Sequence, residues 1–408
     1  YPSGSVMDPT GPSSGSKRIR RGGSWNDPVP VNSSSAKRLP IALGNRGHYL
    51  GFRLAFRFTG VTKVIAPDGA ADDLFGYFVS QSGDLLAVGA YLSDPGGLSA
   101  AGAAYLYKVE QNGSITYLSK VTAPDGAATD YFGQSVSQSG DLLAVGASGS
   151  DPGGAAYLYK VEQNGTITYL DKVTAPDGAA DVEFGGSVSQ SGDLLAVGAS
   201  LSSPGGLSLA GAAYLYKVEQ NGSATYLDKV TAPDGAADDR FGSTLSQSGD
   251  ILAVGAYQAD SGGLSDAGAA YLYKVEQNGS ITYLDKVTAP DGAASDYFGV
   301  SVSQSGDLLA VGAYWSDPGG LSAAGAAYLY KVEQNGSVTY LDKVTAPDAA
   351  ADDRFGYSVS QSGDVLAIGA KGSDSGGLSN AGATYLYKVE QNGSVTYLDK
   401  VTAPDGVA

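Results

Sequence analysis

Residues 298–354 read FGVSVSQSGDLLAVGAYWSDPGGLSAAGAAYLYKVEQNGSVTYLDKVTAPDAAADDR, and this stretch decides the fold. It breaks into four β-rich runs separated by turn chemistry. FGVSVSQ is closed by Ser305-Gly306-Asp307, DLLAVGA runs into a Gly/Pro/Ser loop, and GAAYLYKVE is joined through Asn335-Gly336 to GSVTYLDKVTA. Alternation in YLYKV sends Tyr328 and Tyr330 to one face of a sheet and Leu329 and Lys331 to the other. Asn-Gly between alternating strands signals a two-residue hairpin, because both central residues of a type I′ turn need positive φ. No segment carries a helical apolar period.

Working outward, the same unit recurs along the chain. Phe-Gly stands at Phe75, Phe132, Phe184, Phe241, Phe298 and Phe355, spaced by 57 residues except for one interval of 52, where residues 148–155 form a shortened loop. Six four-stranded units of this length predict an all-β fold, a β-propeller of six blades, with seven as the alternative. Its Ala/Gly-rich second strand suits the crowded inner part of a blade. Three segments follow: a Ser/Gly/Pro-rich tail (1–16), a basic head (17–61) and the repeats (62–408).

Composition narrows the function. Among 408 residues there are no cysteines and one histidine, His48. Disulfides, thiolate nucleophiles, multi-histidine metal sites and Ser-His-Asp chemistry are therefore disfavoured. The formal net charge of −17 argues against nucleic acid as a partner. No apolar run reaches the roughly 18 residues of a spanning helix. Charge is also uneven. Residues 1–60 hold nine Lys/Arg against two acids, whereas the rest hold 16 against 40.

The pattern FG-x-S-V-x-x-S-G-D-L-L-A-V-G-A resembles the FG-GAP repeat of integrin α-subunit propellers and bacterial surface proteins, over residues 62–408. That resemblance implies an extracellular adhesive propeller. Integrin-type repeats often carry a D-x-D-x-D-G calcium loop between the first two strands. Here Ser-Gln-Ser-Gly-Asp is too short and too poor in oxygens for calcium, so no metal and no cofactor are expected. The head, with KRIRRGGSWNDP (17–28) and HYLGFRLAF (48–56), resembles the C-terminal end of the formylglycine-generating-enzyme/sulfatase-modifying domain, which implies a small C-type-lectin-like fragment. That family's activity depends on cysteines, so no activity is carried over.

Candidate sites come from comparing the units with one another. The start of the second-to-third-strand loop varies (Tyr91, Ser148, Ser200, Tyr257, Tyr314-Trp315, Lys371), as does the residue before Phe-Gly (Leu74, Tyr131, Glu183, Arg240, Tyr297, Arg354). Strand alternation brings both loops to one end of the propeller. Tyr91, Arg240, Tyr257, Tyr314, Trp315, Arg354 and Lys371 are therefore the candidate binding residues, since aromatic rings with Arg make contact surfaces. Drift at solvent positions is the bland alternative. Asn112, Asn164, Asn221, Asn278, Asn335 and Asn392 are formal glycosylation acceptors, as is Asn32, although Asn-Gly also serves the turn alone. The Asp-Gly-Ala-Ala-x-Asp loops (Asp68/Asp72/Asp73, Asp234/Asp238/Asp239 and their kin) offer carboxylates for calcium or, more simply, caps for turn N–H groups.

Residues 62–73 duplicate a fourth strand and its exit loop, one more than six blades require. A surplus strand is a pairing template. With Arg18, Arg20 and Arg21 it suggests docking of the head on another copy. The expectation is thus a non-enzymatic, extracellular structural or adhesive protein that self-associates, with head-to-tail filaments as one form of that assembly. The alternative is a monomeric lectin-like or integrin-like module that binds a glycan or protein through the variable loops.

Overall fold

The computed structural model describes residues 17–20, 39–42 and 62–403, apart from 111, 163, 179–181, 277, 334, 376–377 and 391. The chain forms two units, residues 1–61 and 62–408. In the first, β1 (Lys17–Arg20) pairs antiparallel with β2 (Leu39–Ala42). The rest of the expected lectin-like fragment, with Arg21 and the side chains of Arg18 and Arg20, lies outside the described residues.

The second unit is a six-bladed propeller of four-stranded antiparallel sheets whose strands follow in chain order. Blade one is β3 (Val79–Ser82), β4 (Leu85–Ala90), β5 (Ala103–Val109) and β6 (Ile115–Val121). Blades two to five, β7 to β22, repeat it between Ser135 and Val344. Blade six is β23 (Phe355–Ser362), β24 (Val365–Ala370), β25 (Ala383–Val389) and β26 (Val395–Val401). The helical pieces are one-turn 3-10 segments such as Pro95–Gly97.

Neighbouring blades meet large against small. Leu85, Ala87, Ala104, Leu106 and Val121 of blade one pack on Phe132, Tyr157 and Tyr159 of blade two. Within blade two, Phe132 meets Tyr157 edge-on with centroids 5.4 Å apart, a favoured aromatic geometry. The glycine of L-L-A-V-G-A is required by close approach, since a Cβ on Gly89 would strike the carbonyl oxygen of Gly133. Serines tie the inner strands together. Gln138 N donates to Ser80 Oγ at 2.9 Å and Gly140 N to Ser82 Oγ at 3.0 Å.

Two local details differ from the sequence reading. The Asn-Gly hairpin is not a two-residue type I′ turn. Gly113 N donates to Glu110 O, and Glu110 N to Ser114 O, each at 2.8 Å. Of the pair, only the glycine has positive φ, 82° for Gly113. In blade three, where the whole hairpin is described, Gln220, Asn221 and Gly222 form a three-residue loop ending in a left-handed glycine, φ 89°. The asparagine stays out of the left-handed region because its side chain does the bridging: Asn112 Oδ1 accepts from Ser114 N at 2.9 Å. The fourth strand also bulges. Leu106 faces Ser119 while Tyr107 faces Tyr117, leaving Leu118 as the extra residue. Leu118 leans under the next blade's hairpin, where a Cβ on Gly165 would lie 3.2 Å from it.

The Asp-Gly-Ala-Ala-x-Asp loops are tied down by the blade that follows. Asp125 Oδ1 accepts from Tyr157 OH at 2.8 Å, and Oδ2 from Lys172 Nζ at 2.7 Å. The same clamp recurs at Asp68, Asp177, Asp234, Asp291 and Asp348. Its lysine bond holds the Asp68, Asp125 and Asp348 carboxyls below the ordinary aspartate value. The second carboxylate caps the turn, as Asp130 Oδ2 does by accepting from Ala127 N at 2.9 Å.

Residues 62–66 form no strand, contrary to the surplus strand expected there. They are held on the chain's own first blade. Tyr107 OH donates to Ile65 O at 2.9 Å, and Tyr105 OH and Lys120 clamp Asp68. Side-chain bonds to blade one replace the ladder bonds that would have made an open edge.

Candidate functional site

Both variable loops do emerge at one end, since Tyr91 of one type meets Tyr131 of the other with centroids 6.1 Å apart. The residue before Phe-Gly is left-handed in every unit, with φ of 57° at Tyr131, 60° at Arg240, 55° at Tyr297 and 56° at Arg354. Bulky residues in this region cost about 1–3 kcal/mol each and gather at functional sites. Backbone bonds to the preceding blade's long loop hold them there, as when Arg354 N donates to Ala323 O at 2.9 Å.

These rings join into one collar. From Tyr131 and Tyr91 it continues to Tyr77 at 5.2 Å from Tyr91, whose hydroxyl lies 3.4 Å from that of Tyr357. Tyr357 meets Tyr314 at 5.5 Å, Tyr314 stacks on Tyr297 at 5.8 Å, and Tyr297 meets Tyr257 at 5.8 Å. Exposed Trp315 packs edge-on against both Tyr297 and Tyr314.

Cations sit on the rings. Lys371 Nζ lies 3.5 Å from the Tyr357 centroid and 5.6 Å from that of Tyr314. Arg354 lies 5.4 Å from Trp315, and its Nε has no hydrogen-bond partner among the described residues. Desolvation pulls the Lys371 amine below its ordinary value, and the charge of Arg354 adds to this. Arg240 Nε donates to Gln258 Oε1 at 3.2 Å. Burial and the bond to Tyr357 push the Tyr77 hydroxyl up to about 12. The remaining arc is polar: Ser148 pairs with Gln134, and Ser200 Oγ donates to Glu183 Oε2 at 3.2 Å.

The sequence candidates Tyr91, Tyr257, Tyr314, Trp315, Arg354 and Lys371 thus share this end, with Arg240 beside them. Tyr77 and Tyr357 were missed. They occupy the third position of the Phe-Gly unit, which varies between copies (Tyr77, Gln134, Gly186, Ser243, Val300, Tyr357) and so carried the same signal. The candidate glycosylation residues, Asn112, Asn164, Asn221, Asn278, Asn335 and Asn392, lie exposed in the hairpin loops. In each the side-chain oxygen accepts from the backbone N–H two residues on, so a turn role is filled.

A family model, the FG-GAP repeat, matches residues 58–107, 116–159, 168–216, 225–273, 282–330 and 339–387. Among solved structures the chain is similar to a protein from Lactobacillus plantarum, with 17% identity and a TM-score of 0.51 over 81% of this chain and 85% of that one. It is also similar to the periplasmic gluconolactonase of Pseudomonas aeruginosa, with 16% identity and a TM-score of 0.50 over 80% of this chain and 85% of that one. At such identities the likeness is one of fold. No curated protein matches the chain. Among the described residues no helix is long and apolar enough to cross a membrane.

Proposed function

The chain belongs to the FG-GAP repeat family, and from that premise we propose that it is an extracellular, non-catalytic binding propeller whose aromatic collar takes an acidic glycan. The observation that carries the reading is the continuous run of rings overlaid by Lys371 and Arg354. Flat rings offer large apolar faces at little entropic cost, and a few placed polar groups fix orientation. The Arg354 guanidinium, 5.4 Å from the ring of exposed Trp315, supplies the positive charge that a glycan carboxylate would pair with. The gluconolactonase activity belongs to the distant fold neighbour, and the groups that overlie the aromatic run, Lys371 and Arg354, are both cations.

Trp315 fluorescence tests the reading. Polygalacturonate should shift it and a neutral glucan should not. Trp315→Ala and Arg354→Gln should each weaken binding at least about tenfold, or about 1.4 kcal/mol. If calorimetric affinity survives both substitutions, the collar is not the site. Linkage of copies through the basic residues 17–61 is the lesser reading. It is supported by charge opposite to that of the repeats, and sedimentation at low and high salt tests it.

A further inference from the structure

Among the described residues five blade-to-blade interfaces are filled, whereas at the seam between blades six and one the match is incomplete: Tyr105 and Tyr107 of blade one are buried with Val64, Ala66 and Phe75 packed against them, but the inner strand of blade one and the seam side of blade six keep open positions. Val79 of β3 is 61% exposed, whereas its counterparts Val136, Val188 and Val302 are each 7% exposed. On blade six, Val365 is 41% exposed where Leu85 and Leu194 are 5%. Leu398, the bulge leucine of β26, is 49% exposed, while Leu118, Leu170, Leu227, Leu284 and Leu341 each lean under the next hairpin glycine. Gly113, the matching glycine of blade one, has no atom within 4 Å of its would-be Cβ. The serine ladder, last seen where Gln361 N donates to Ser303 Oγ at 2.9 Å, joins Ser360 to nothing on blade one among the described residues. Leu398 is therefore a knob without a seat, and Gly113 a seat without a knob.

The two faces cannot simply close on each other. Ile65–Asp68 already fill the Tyr105–Lys120 clamp, the place where the end of a preceding blade's fourth strand belongs. The hydroxyls of Tyr77 and Tyr357 bridge the seam by a hydrogen bond at 3.4 Å.

We propose that the seam is a docking slot for one further four-stranded blade of this same repeat, donated by a partner chain. Its tyrosine face and hairpin glycine receive Leu398 and Val365. Its small-residue face and bulge leucine cover Val79 and fill the seat at Gly113. The five internal interfaces are the template for both contacts. A whole second copy fits less well, because only two of its blade faces keep open positions and they do not belong to one blade.

The probe is a polypeptide of residues 298–344, four strands without an exit segment, added to the full chain. Sedimentation should give a one-to-one complex. Hydrogen exchange should slow across Val79–Ser82 and around Val365 and Leu398. The double variant Val79→Glu/Leu398→Glu, with an unchanged circular dichroism spectrum, should bind at least about tenfold more weakly. If the free polypeptide aggregates, the same unit fused after Ala408 through a flexible linker should raise Tm and give the same protection. No complex and no Tm rise would overturn the proposal. So would protection of the seam in the chain alone, or oligomers of the chain that the polypeptide does not dissolve.

Discussion

The interface between blades three and four and the seam between blades six and one are written with nearly the same residues, yet one is packed and the other only partly covered. Leu215 and Leu386 hold equivalent places in YLYKV. Leu215 is fully buried against blade four, while Leu386 is only partly covered. The difference teaches that each repeat encodes two half-interfaces, a small-residue face and a tyrosine face, and that burial depends on a neighbour supplying the other half.

The largest effect should therefore separate these two leucines. Leu215→Ala leaves a cavity in a closed interface and should cost about 2–5 kcal/mol. Leu386→Ala should cost about 1 kcal/mol or less, as partly exposed sites do. Urea denaturation of the two variants measures the contrast. Equal losses would mean that the seam is packed in solution, which would remove the basis of the comparison.

Much of this was legible in the sequence. Phe-Gly spacing gave the six units, turn chemistry gave four strands in each, and alternation placed both variable loops at one end. Tyr105 and Tyr107 do share a buried face, as YLYKV implies. The seam was not legible, because its residues match those of the filled interfaces and only three-dimensional closure tells them apart. The role of Asp68 and its kin also escaped. Their partners, such as Tyr105 and Lys120, lie 37 and 52 residues away on the next blade, beyond any local pattern. The Asn-Gly loop was misassigned because an asparagine side chain can satisfy the turn without its backbone becoming left-handed.

A smaller effect should come from acid, and it bears on filled and partly covered faces alike, because every blade has its clamp. The Lys120, Lys172 and Lys400 bonds depress the Asp68, Asp125 and Asp348 carboxyls below the ordinary aspartate value. The stability they contribute is fully present above the unfolded value and is lost as pH falls through the lower folded values. Burial raises Asp239, Asp296 and Asp353, and these work in the opposite sense. The pairs are largely solvent-exposed, so each contributes little and the sum appears only below about pH 4. Lys120→Met should flatten the acid limb of a Tm-versus-pH curve, and Lys172→Met should flatten it equally. A larger change for Lys172→Met would show that the Asp68 segment, which fills its clamp without a complete blade behind it, is held less firmly.

The smallest effect lies at the seam itself. Tyr77→Phe removes a 3.4 Å contact with the Tyr357 hydroxyl between partly exposed rings, so stability should change by about 0.5 kcal/mol or less. Its titration should be plainer than its energetics. The Tyr77 hydroxyl is held at about 12, by burial first and by the Tyr357 bond second, and Tyr107 is held at about 12 by burial. A tyrosine raised in the folded state adds stability that is whole below the unfolded value, near 10, and is lost as pH rises through about 12. In a phenolate absorbance titration, Tyr357→Phe should let Tyr77 ionise earlier and leave Tyr107 where it is. If Tyr77 is unmoved by Tyr357→Phe, the two hydroxyls do not meet in solution. The inner ends of blades one and six then stand further apart, and the slot is wider at the axis than the hydroxyl contact indicates.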